Sequence, residues 1–519
     1  MTPARSPFLP KEAFFPKEQE YQILPFRFKR WKENEVLLVN DVGEHCIVSA
    51  EIFHSLVHHR LDPESVTFEN LQSRLFISRG DPRWALDLLA TRYRTKKSFL
   101  EGFTRLHLFV VTLRCDHTCR YCQVSRVTAD RTRFDMPWDV AQRAIDLVFK
   151  SPAPEFKIEF QGGESLLAWD LIRRIVEEVE GRAEVEGRRV DFVVATNLVP
   201  LDDSMLEFMR EHRIQLSTSL DGPALIHDRN RPRPSMNSHA LFLDRLEKAR
   251  EVLGHDQVSA VMTTTEHSLG HPEDIVDEFV HLGFDSIFLR PISPYGFAVR
   301  TGEAERYAAD EFLAFYRRGL ARILEHCRQG VDLVEVYSQI LLTQMFTPFP
   351  TGYVDLQSPA GTGFGAVAYN YDGEVYVSDE ARMLAAMGDR SFRMGHVEDT
   401  WEELFGGELM QALAMSSVLE TLPGCSDCAF LPWCGADPLF HYRTQGDPIG
   451  HRPTSGFCRK NMGIFEHLLE LWHHGDSEVQ EILLRWATCV QPEAPELELP
   501  QRAVESPPES LGSFAGIPE

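Results

Sequence analysis

The chain has 519 residues, enough for about three domains of roughly 150 residues each. Its composition, 43% hydrophobic and 25% charged, is ordinary for a globular protein and excludes a mainly disordered or fibrous chain. The net charge of −25 and the lack of a long Lys/Arg run argue against nucleic acid as a partner. Without an apolar stretch of membrane-spanning length or a secretory signal, we expect a cytoplasmic protein with no membrane partner.

The first 300 residues change from a mixed segment to a regular alternation. Residues 1–100 predict short strands at 35–40 and 45–50, followed by short helices. From there apolar strands alternate with amphipathic helices, which predicts an α/β fold with parallel strands and right-handed crossovers. An open doubly wound sheet and a partial barrel both satisfy the pattern, and both place the ligand site at the carboxyl ends of the strands. The expected strands are 106–113, 156–160, 190–196, 214–220, 258–265 and 286–292.

The alternation stops after the sixth strand. Two long helical patterns come next, and a hairpin is expected at 364–379, where an Asp-Gly pair separates two apolar runs. Further helices are expected at 461–474 and 476–488. The segment 491–519 is rich in Pro, Glu and Ser, so we expect it to be disordered.

Seven of the ten cysteines fall in two groups. Clustered thiols in a reducing compartment indicate metal or redox chemistry rather than disulfides. The three isolated cysteines are interpreted as small buried hydrophobes: Cys46, Cys327 and Cys489.

The first group follows the first strand of the alternation with the spacing C-x3-C-x2-C: Cys115, Cys119 and Cys122. Three thiolates on so short a loop can bind three irons of a [4Fe–4S] cube and leave the fourth iron without a protein ligand. A zinc site with a distant fourth ligand and three incidental thiols are the alternatives that the spacing leaves open.

The ends of the other strands carry glycines and polar groups. Gly162, Gly163 and Glu164 follow the second strand, where two residues without side chains allow close backbone approach and a carboxylate can receive an ammonium group. Polar residues also end the third strand and the fourth, at 217–223. Beside an open iron site, these strand ends predict a pocket for a small zwitterionic cofactor.

This arrangement resembles the radical S-adenosylmethionine (SAM) superfamily, whose partial (β/α)6 TIM-like barrel carries CxxxCxxC after its first strand. The resemblance covers about residues 104–300. It implies that the first three cysteines bind the cluster and that the amino and carboxylate groups of SAM chelate the fourth iron. It further implies that one electron cleaves SAM to methionine and a 5′-deoxyadenosyl radical, which abstracts a hydrogen atom from the substrate.

The resemblance also assigns residues to parts of SAM. The Gly-Gly-Glu turn (Gly162, Gly163 and Glu164) would hold the amino group. Ser219 and Arg231 match the positions that hold the carboxylate and ribose, and Tyr121 matches an aromatic position near the adenine.

The second cysteine group is expected to be a metal site as well. On spacing alone, a structural zinc site is slightly favoured over a four-cysteine iron–sulfur cluster. Beside a radical SAM core it resembles the SPASM/twitch extension of peptide-modifying enzymes, which implies an auxiliary [4Fe–4S] cluster. The four ligands would be Cys425, Cys428, Cys434 and Cys458.

Full SPASM domains hold two clusters, but this sequence departs from that pattern. Ser358, Ser378 and Pro438 stand where the resemblance leads us to expect cysteines, so one auxiliary cluster is expected rather than two. Asp379 matches a position that acts as general base in sulfatase-maturing relatives, and an exposed hairpin residue is the alternative for it.

The segment before the barrel resembles, more weakly, winged-helix modules that bind leader peptides along a sheet edge; a structural cap on the barrel is the alternative. The expected domains are this α+β module at 1–100, a radical SAM core at 101–335, a SPASM/twitch-like domain at 336–475, and a helix with a disordered tail at 476–519.

The chain as a whole most resembles the radical SAM maturases of the His-Xaa-Ser peptide system. This implies an enzyme that modifies a ribosomally made peptide by hydrogen abstraction. The implied partners are a peptide or protein substrate, an electron donor such as flavodoxin or ferredoxin, and a second radical SAM maturase. The alternatives are an anaerobic sulfatase-type maturase and a non-catalytic iron–sulfur or zinc binding partner.

Overall fold

The computed structural model describes residues 20–124, 126–127, 130–234 and 237–489; the tail expected to be disordered lies outside them. The strands are, in chain order, β1 (Tyr21–Ile23), β2 (Phe26–Arg30), β3 (Glu35–Asn40), β4 (His45–Ser49), β5 (Ile77–Arg79), β6 (Leu106–Thr112), β7 (Glu155–Gly162), β8 (Arg189–Ala195), β9 (Gln215–Ser219), β10 (Val258–Val261), β11 (Ser286–Ile287), β12 (Val334–Glu335), β13 (Ala366–Tyr369), β14 (Glu374–Tyr376) and β15 (Arg393–His396).

The helices are α1 (Ala50–Val57), α2 (Val66–Ser73), α3 (Arg83–Lys96), α4 (Arg131–Phe134), α5 (Trp138–Val148), α6 (Trp169–Glu186), α7 (Asp203–Glu211), α8 (Ala224–Asn230), α9 (Ser238–Leu253), α10 (Pro272–His281), α11 (Gly296–Arg300), α12 (Ala309–Arg328), α13 (Val336–Phe346), α14 (Asp379–Ala386), α15 (Trp401–Gly406), α16 (Glu408–Ser417), α17 (Pro438–Gln445), α18 (Gly456–His474) and α19 (Ser477–Cys489). Within the described ranges, none of these helices is long and apolar enough to cross a bilayer.

One sheet of eight strands organises the molecule, in the order β10-β9-β8-β7-β6-β13-β14-β15. The five strands β6 to β10 run parallel, with helices in the connections, which confirms the predicted α/β fold class. The hairpin that follows the barrel joins the same sheet, because β13 pairs in parallel with β6. The C-terminal region therefore continues the barrel sheet at the edge where the first strand would otherwise be unpaired.

The sixth strand is shorter than the sequence predicts. A strand was expected over 286–292, but β11 has only two residues and pairs in parallel with β12. A single bridge, between Thr264 and Pro291, connects the rest of the segment to the chain that leaves β10. The Leu289 N–H donates to the Glu335 carboxylate at 3.2 Å rather than to a neighbouring strand, and Pro291 has no N–H to give to a ladder. The segment after β11 lies at the rim as irregular chain.

Side chains along β7 alternate between the two faces of the sheet. Phe156, Ile158 and Phe160 are almost fully buried and belong to the main hydrophobic core. Lys157 and Glu159 lie between them in sequence and therefore point to the opposite face of the sheet. Strand β6 is apolar and buried along nearly its whole length, as expected for a central parallel strand covered on both faces.

The N-terminal module packs on the C-terminal region through β3, the middle strand of the sheet β2-β3-β4. Leu37 and Val39, on one face of β3, belong to the same core as Trp433. Val36 and Leu38, on the other face, pack within the module. Because the side-chain period of a strand is two, a single strand can belong to two cores.

The isolated cysteines differ in their surroundings. Cys327 is buried, and its Sγ donates to the Leu333 carbonyl at 3.2 Å, in line with a small core side chain. Cys46 is partly buried in the N-terminal module. The side chain of Cys489 lies outside the described part of the structure.

Candidate active site

The cysteine loop, residues 114–122, leaves the end of β6 and is fixed at both ends. At its start the Arg114 guanidinium binds Asp135 with two hydrogen bonds of 2.7 Å. At its end the Phe297 N–H donates to the Cys122 carbonyl at 2.7 Å. Bidentate Arg–carboxylate pairs hold a defined geometry, so the loop starts from a fixed point.

The three thiols of this loop, Cys115, Cys119 and Cys122, are free cysteines. Burial raises the pKa of Cys115 and raises that of Cys119 to about 12, although the charge of Arg231 opposes the shift at Cys119. Buried thiols without a neighbouring base stay protonated, and a bound cation is what would hold them as thiolates. Three thiols on one loop fit the three protein ligands of an open [4Fe–4S] site.

The Gly-Gly-Glu turn contacts the backbone at the base of the cysteine loop. Gly163 N–H donates to the Thr112 carbonyl at 2.9 Å, and Glu164 N–H donates to the Arg114 carbonyl at 2.7 Å. A Cβ on Gly162, whose φ is +143°, would lie 1.9 Å from the Thr112 oxygen, and one on Gly163 would lie 2.2 Å from the Arg114 oxygen. The close approach that the sequence predicts is therefore made, in the first place, to strand β6.

Glu164 is fully buried and its carboxylate accepts three hydrogen bonds. The donors are the Thr196 hydroxyl at 2.6 Å, the Asn197 N–H at 2.7 Å and the Leu166 N–H at 3.0 Å. Burial raises the pKa of Glu164 to about 7, and the hydrogen bonds oppose the shift. The carboxylate is thus oriented at the rim by the ends of two neighbouring strands, β7 and β8.

Two residues inside the cysteine motif support it, and sequence reasoning did not identify them. Ligand atoms of Cys115, Asp116 and His117 lie within 4.8 Å of one another. However, Asp116 accepts from the Asn197 amide at 2.7 Å, and His117 Nε2 lies 2.8 Å from the Ser238 hydroxyl. These side chains connect the loop to β8 and α9. Their partners are far away in sequence, so the motif alone gave no signal for them.

Tyr121, Asp221 and Arg231 form a second network at the rim. The Tyr121 hydroxyl donates to Asp221 and accepts from Arg231, both at 2.8 Å. Burial raises the pKa of Asp221, and the Arg231 guanidinium opposes that shift. The network fixes the ring of Tyr121 through its hydroxyl. Ser219 lies at the carboxyl end of β9, two residues before Asp221, and is half-buried.

The second cysteine group also comes together. Coulombic coupling connects the thiols, since Cys425, Cys428 and Cys458 all raise the pKa of Cys434, for which burial is the largest cause. Ser455 caps α18 by accepting from the Cys458 N–H at 3.3 Å, so Cys458 lies in the first turn of that helix. Four thiols fit either a closed iron–sulfur site or tetrahedral zinc.

The three positions that lack the expected cysteines have structural roles. Ser358 donates to Glu420 at 2.8 Å. Ser378 is the N-cap of α14 and accepts from the Ala381 N–H at 3.3 Å. Pro438 is the first residue of α17, where a missing N–H costs nothing. Each residue is therefore explained without a metal.

Asp379 is not an exposed hairpin residue. It begins α14 directly after the hairpin, its side chain is 13% exposed, and it accepts from Arg382 Nε at 2.7 Å. It lies near Glu159 on the barrel strand β7: burial raises the pKa of Glu159, and the charge of Asp379 adds to the shift. The candidate base thus faces the barrel from the C-terminal region.

The fold and these strand ends define an α/β barrel with a cysteine-bearing rim, and comparison identifies its class. Residues 109–282 match the model of the radical SAM superfamily. This match confirms the prediction from the cysteine loop: the central part of the chain is a radical SAM domain. Such a domain implies a [4Fe–4S] cluster and SAM.

Curated relatives match parts of the chain. It is similar to an uncharacterised protein of Methanocaldococcus jannaschii, 28% identical over 191 residues that cover 36% of this chain and 63% of that protein. It is also similar to the serine-type anaerobic sulfatase-maturating enzyme of Bacteroides thetaiotaomicron, 27% identical over 123 residues that cover 24% of this chain and 29% of that enzyme. The chain therefore spans less than two thirds of the length of either relative.

Two solved structures share the fold. One is native anSMEcpe with bound AdoMet and Kp18Cys peptide, with a TM-score of 0.58, 17% identity, and coverage of 73% of this chain and 99% of that chain. The other is Streptococcus suis SuiB bound to precursor peptide SuiA, with a TM-score of 0.50, 13% identity, and coverage of 84% and 99%.

Proposed function

We propose that the protein is a radical SAM enzyme that abstracts hydrogen from a ribosomally made peptide and so installs a post-translational modification. The observation that carries the proposal is that three free thiols, Cys115, Cys119 and Cys122, lie on a loop whose base is hydrogen-bonded to the turn that carries the buried Glu164. When bound, the cluster and SAM supply one-electron cleavage to a 5′-deoxyadenosyl radical that takes a substrate hydrogen atom. The residues of the chain would bind and orient the cluster, SAM and the substrate, and would exclude water from them.

The rim residues are assigned to SAM as follows. The Gly-Gly-Glu turn receives the amino group, for which Glu164 is held by hydrogen bonds from two strand ends. Ser219 and Arg231 receive the carboxylate and ribose. Tyr121 offers its ring face to the adenine, because its hydroxyl is engaged by Asp221. Asp379 is the candidate base inside the barrel.

A peptide substrate is supported by a groove of about 760 Å³ along β4. This strand is the edge of the three-stranded N-terminal sheet, and α3 forms the opposite wall together with residues 345–348. An extended peptide can bind such an edge by adding a strand. Both solved structures reported above contain a bound peptide, which further supports this substrate class.

The second cysteine group is proposed to hold one auxiliary [4Fe–4S] cluster, with an electron donor such as flavodoxin or ferredoxin as partner. Four protein ligands leave no open position, so its role would be electron transfer or support of the substrate pocket. A second radical SAM maturase is a further proposed partner, and it follows from the resemblance to the His-Xaa-Ser system alone.

A sulfatase-type maturase is the second candidate, favoured by the match to the Bacteroides thetaiotaomicron enzyme and by the inward position of Asp379. The absence of thiols at Ser358 and Ser378 counts against it. A non-catalytic iron–sulfur or zinc partner is the least favoured, because it would not need a buried, oriented Glu164 beside an open cysteine site.

SAM cleavage by the anaerobically reconstituted, reduced protein tests the proposal. We expect 5′-deoxyadenosine from the wild type and at least a roughly hundredfold loss in Cys119→Ala, because two thiolates hold the cube poorly. Cys327→Ala, a buried cysteine outside both groups, is the matched control and should keep cleavage. Wild-type turnover in Cys119→Ala would contradict the radical SAM assignment. Mass spectrometry of a co-expressed neighbouring small peptide then tests the modification.

A second experiment tests whether the groove along β4 binds the peptide. Thr91 on α3 lines it, and Thr91→Trp should raise the apparent KM for a full-length precursor by about tenfold while uncoupled SAM cleavage is unchanged. Thr488→Trp is the matched control, since both hydroxyls bond the carbonyl four residues before them. An unchanged KM would make the N-terminal module a structural cap.

A further inference from the structure

A second cavity, of about 440 Å³, lies between the irregular chain after β11 and the C-terminal region. Residues 288–295 form one wall, and the first turns of α14, α17 and α18 contribute to the others. It is separate from the groove along β4, with which it shares no lining residue. Its size is in the range of small-molecule and side-chain pockets.

The wall of this cavity is continuous with the cysteine loop. Tyr295 lines the cavity, and the next residue, Gly296, packs against the loop so closely that a Cβ would lie 2.0 Å from the Gln123 oxygen and 2.9 Å from the Cys122 oxygen. The Phe297 N–H then donates to Cys122. The wall of the cavity therefore leads, one residue after Tyr295, to backbone in contact with Cys122.

Three carboxyl groups line the cavity, each at or near the start of a helix. Glu380 lies in the first turn of α14, Asp437 is the N-cap of α17 and accepts from the Phe440 N–H at 2.9 Å, and Asp355 lies in a short 3-10 helix. Burial raises the pKa of Glu380 to about 8 and that of Asp437 to about 7, and the charge of Asp355 adds to both shifts. The three groups therefore repel one another in one confined space.

The basic residues around the cavity do not balance these acids. Three carboxyl groups line it against two bases, Arg290 and Lys460. The raised pKa values leave Glu380 and Asp437 partly protonated near neutral pH, and a bound cation would favour the loss of those protons. Arg459 also lines the wall, but its guanidinium pairs with the exposed Asp310 at 3.1 Å. A cation entering the cavity would therefore find carboxyl groups able to ionise and pair with it.

An independent observation points to a ligand in this space. Tyr295 is 2% exposed, and its hydroxyl has no hydrogen-bond partner among the described residues. Burial raises the pKa of this phenol, and the charges of all three carboxyl groups add to the shift. Tyr295 and the three acids line the same cavity. Buried polar groups of this kind are almost always paired, with protein, water or ligand.

Several aromatic rings also line the cavity. Phe288, Tyr337, Tyr353 and Phe457 contribute rings to the walls. Lys460 already lies over two of them, with its Nζ 5.0 Å from the Tyr337 ring centre and 5.3 Å from that of Phe457. Aromatic faces next to carboxylates attract cations through the ring quadrupole as well as through charge.

We propose that this acidic cavity, formed by Asp355, Glu380, Asp437 and Tyr295, binds a positively charged side chain of the peptide substrate. Lysine, arginine and protonated histidine have the required chemistry. The bound side chain fixes the position of the peptide along the cavity, so that the neighbouring residues of the peptide face the cysteine loop. The inference rests on the proposed function, because it names the kind of residue that the peptide carries.

Equilibrium binding to the reconstituted full-length protein, with SAM present, tests the cavity. The probes are acetyl-Gly-Xaa-Gly-amide peptides with lysine, arginine, histidine, norleucine or glutamate at the central position, measured by calorimetry. We expect the lysine or arginine peptide to bind at least about tenfold more tightly than the norleucine peptide, and the glutamate peptide to bind most weakly. Equal binding of the cationic and norleucine peptides would overturn the proposal.

Charge-neutralising variants locate the effect. Glu380→Gln and Asp437→Asn should each reduce the preference for the cationic peptide by about threefold or more, and Asn keeps the capping ability of Asp. The matched controls are the exposed Glu408→Gln in the first turn of α16 and Asp202→Asn at the N-cap of α7, which should keep the preference. If the preference survives both cavity variants, the cation binds elsewhere and the proposal is wrong.

The same preparation separates this inference from the proposed function. If the wild type makes 5′-deoxyadenosine but shows no preference for cationic peptides, the cavity assignment alone fails. If it makes none, the proposed function fails, whatever the peptides do. Comparing peptides on the wild type does not depend on the stability of any variant.

Discussion

The two cysteine groups differ in their number of thiols and in their surroundings. The first lies on a loop at the rim of the barrel, whose base is hydrogen-bonded to the Gly-Gly-Glu turn with its buried carboxylate. The second lies in turns and a helix start among apolar side chains, with Cys425 and Cys434 packed against Leu419, Leu422 and Leu431. Three ligands at an open rim leave a coordination position for chemistry, whereas four ligands in a closed setting leave none.

The difference extends to what holds each group in place. The cysteine loop is supported by hydrogen bonds to side chains and carbonyls of the barrel itself. The second group is covered by the N-terminal module, whose Arg27 donates to the Ser426 carbonyl and whose Lys97 pairs with Glu420 at 2.9 Å. We infer that the barrel can orient the first site alone, whereas the second depends on two regions of the chain packing together.

Metal content provides the sharpest test of this comparison. Reconstituted protein should bind about eight iron per chain, and replacing Cys115, Cys119 and Cys122 by Ala should leave about four. Replacing Cys425 and Cys428 as well should remove the rest.

Iron and zinc analysis with Mössbauer spectroscopy measures the outcome, and Cys327→Ala is the control that should keep eight. About four iron with one zinc would make the second group a zinc site and leave the radical SAM domain intact. About twelve iron would mean that other residues complete a third site.

Substitution of Gly163 should affect the first cysteine group and leave the second unchanged. Gly163→Ala places a methyl group 2.2 Å from the Arg114 carbonyl oxygen, so backbone must shift. We expect the free energy of unfolding to fall by about 3 kcal/mol or more and SAM cleavage to be lost. Gly181→Ala, in the interior of α6 with nothing within 4 Å, is the control and should stabilise by up to about 1 kcal/mol. Equal stabilities in denaturant unfolding would contradict the close contact.

The rim carboxylate predicts a pH dependence in protein prepared without metal. Burial raises the pKa of Glu164 from 4.5 to about 7, so the folded state holds this proton more tightly than the unfolded chain. Its contribution to stability is full below the unfolded pKa and is lost as pH rises through about 7. The loss should be roughly 3 kcal/mol, at 1.36 kcal/mol per pKa unit.

Denaturant unfolding of the wild type and of Glu164→Gln at pH values from 4.5 to about 7 isolates the contribution of Glu164 to stability. The loss of stability with rising pH should be absent from Glu164→Gln and present in the control Glu408→Gln. Parallel pH profiles for the wild type and Glu164→Gln would show that Glu164 ionises normally.

The smallest expected effect concerns a serine at a position where the resemblance leads us to expect a cysteine. Ser378→Ala removes the N-cap hydrogen bond of α14 and should lower the free energy of unfolding by about 1 kcal/mol. Iron content should not change, because the hydroxyl binds a backbone N–H rather than a metal. Ser378→Asp keeps a cap and should keep stability. Loss of about four iron in Ser378→Ala would mean that the serine is a cluster ligand.

Local sequence patterns were enough to predict much of the fold. Five of the expected parallel strands, the alternating helices, the hairpin and the C-terminal helices are present at nearly the predicted positions. The sixth strand was overestimated because its apolar run gives no sign that the Leu289 N–H would bond the Glu335 side chain rather than a neighbouring strand. The pairing of β13 with β6 was not predicted, because no local pattern indicates which strand a hairpin will join.

The cysteine spacings and the glycine-rich strand ends are encoded in neighbouring residues, so the sequence alone determined the class of domain and the position of its cysteine loop. Only the tertiary structure showed that the Tyr121 hydroxyl donates a hydrogen bond to Asp221 and that the Asn197 N–H donates one to Glu164. Only the tertiary structure, too, showed that carboxyl groups from three helix starts share one cavity. The reason is physical: hydrogen-bond partners, burial and the resulting pKa shifts depend on distances between residues that lie far apart in the chain, and these distances exist only once the sheet and helices have packed.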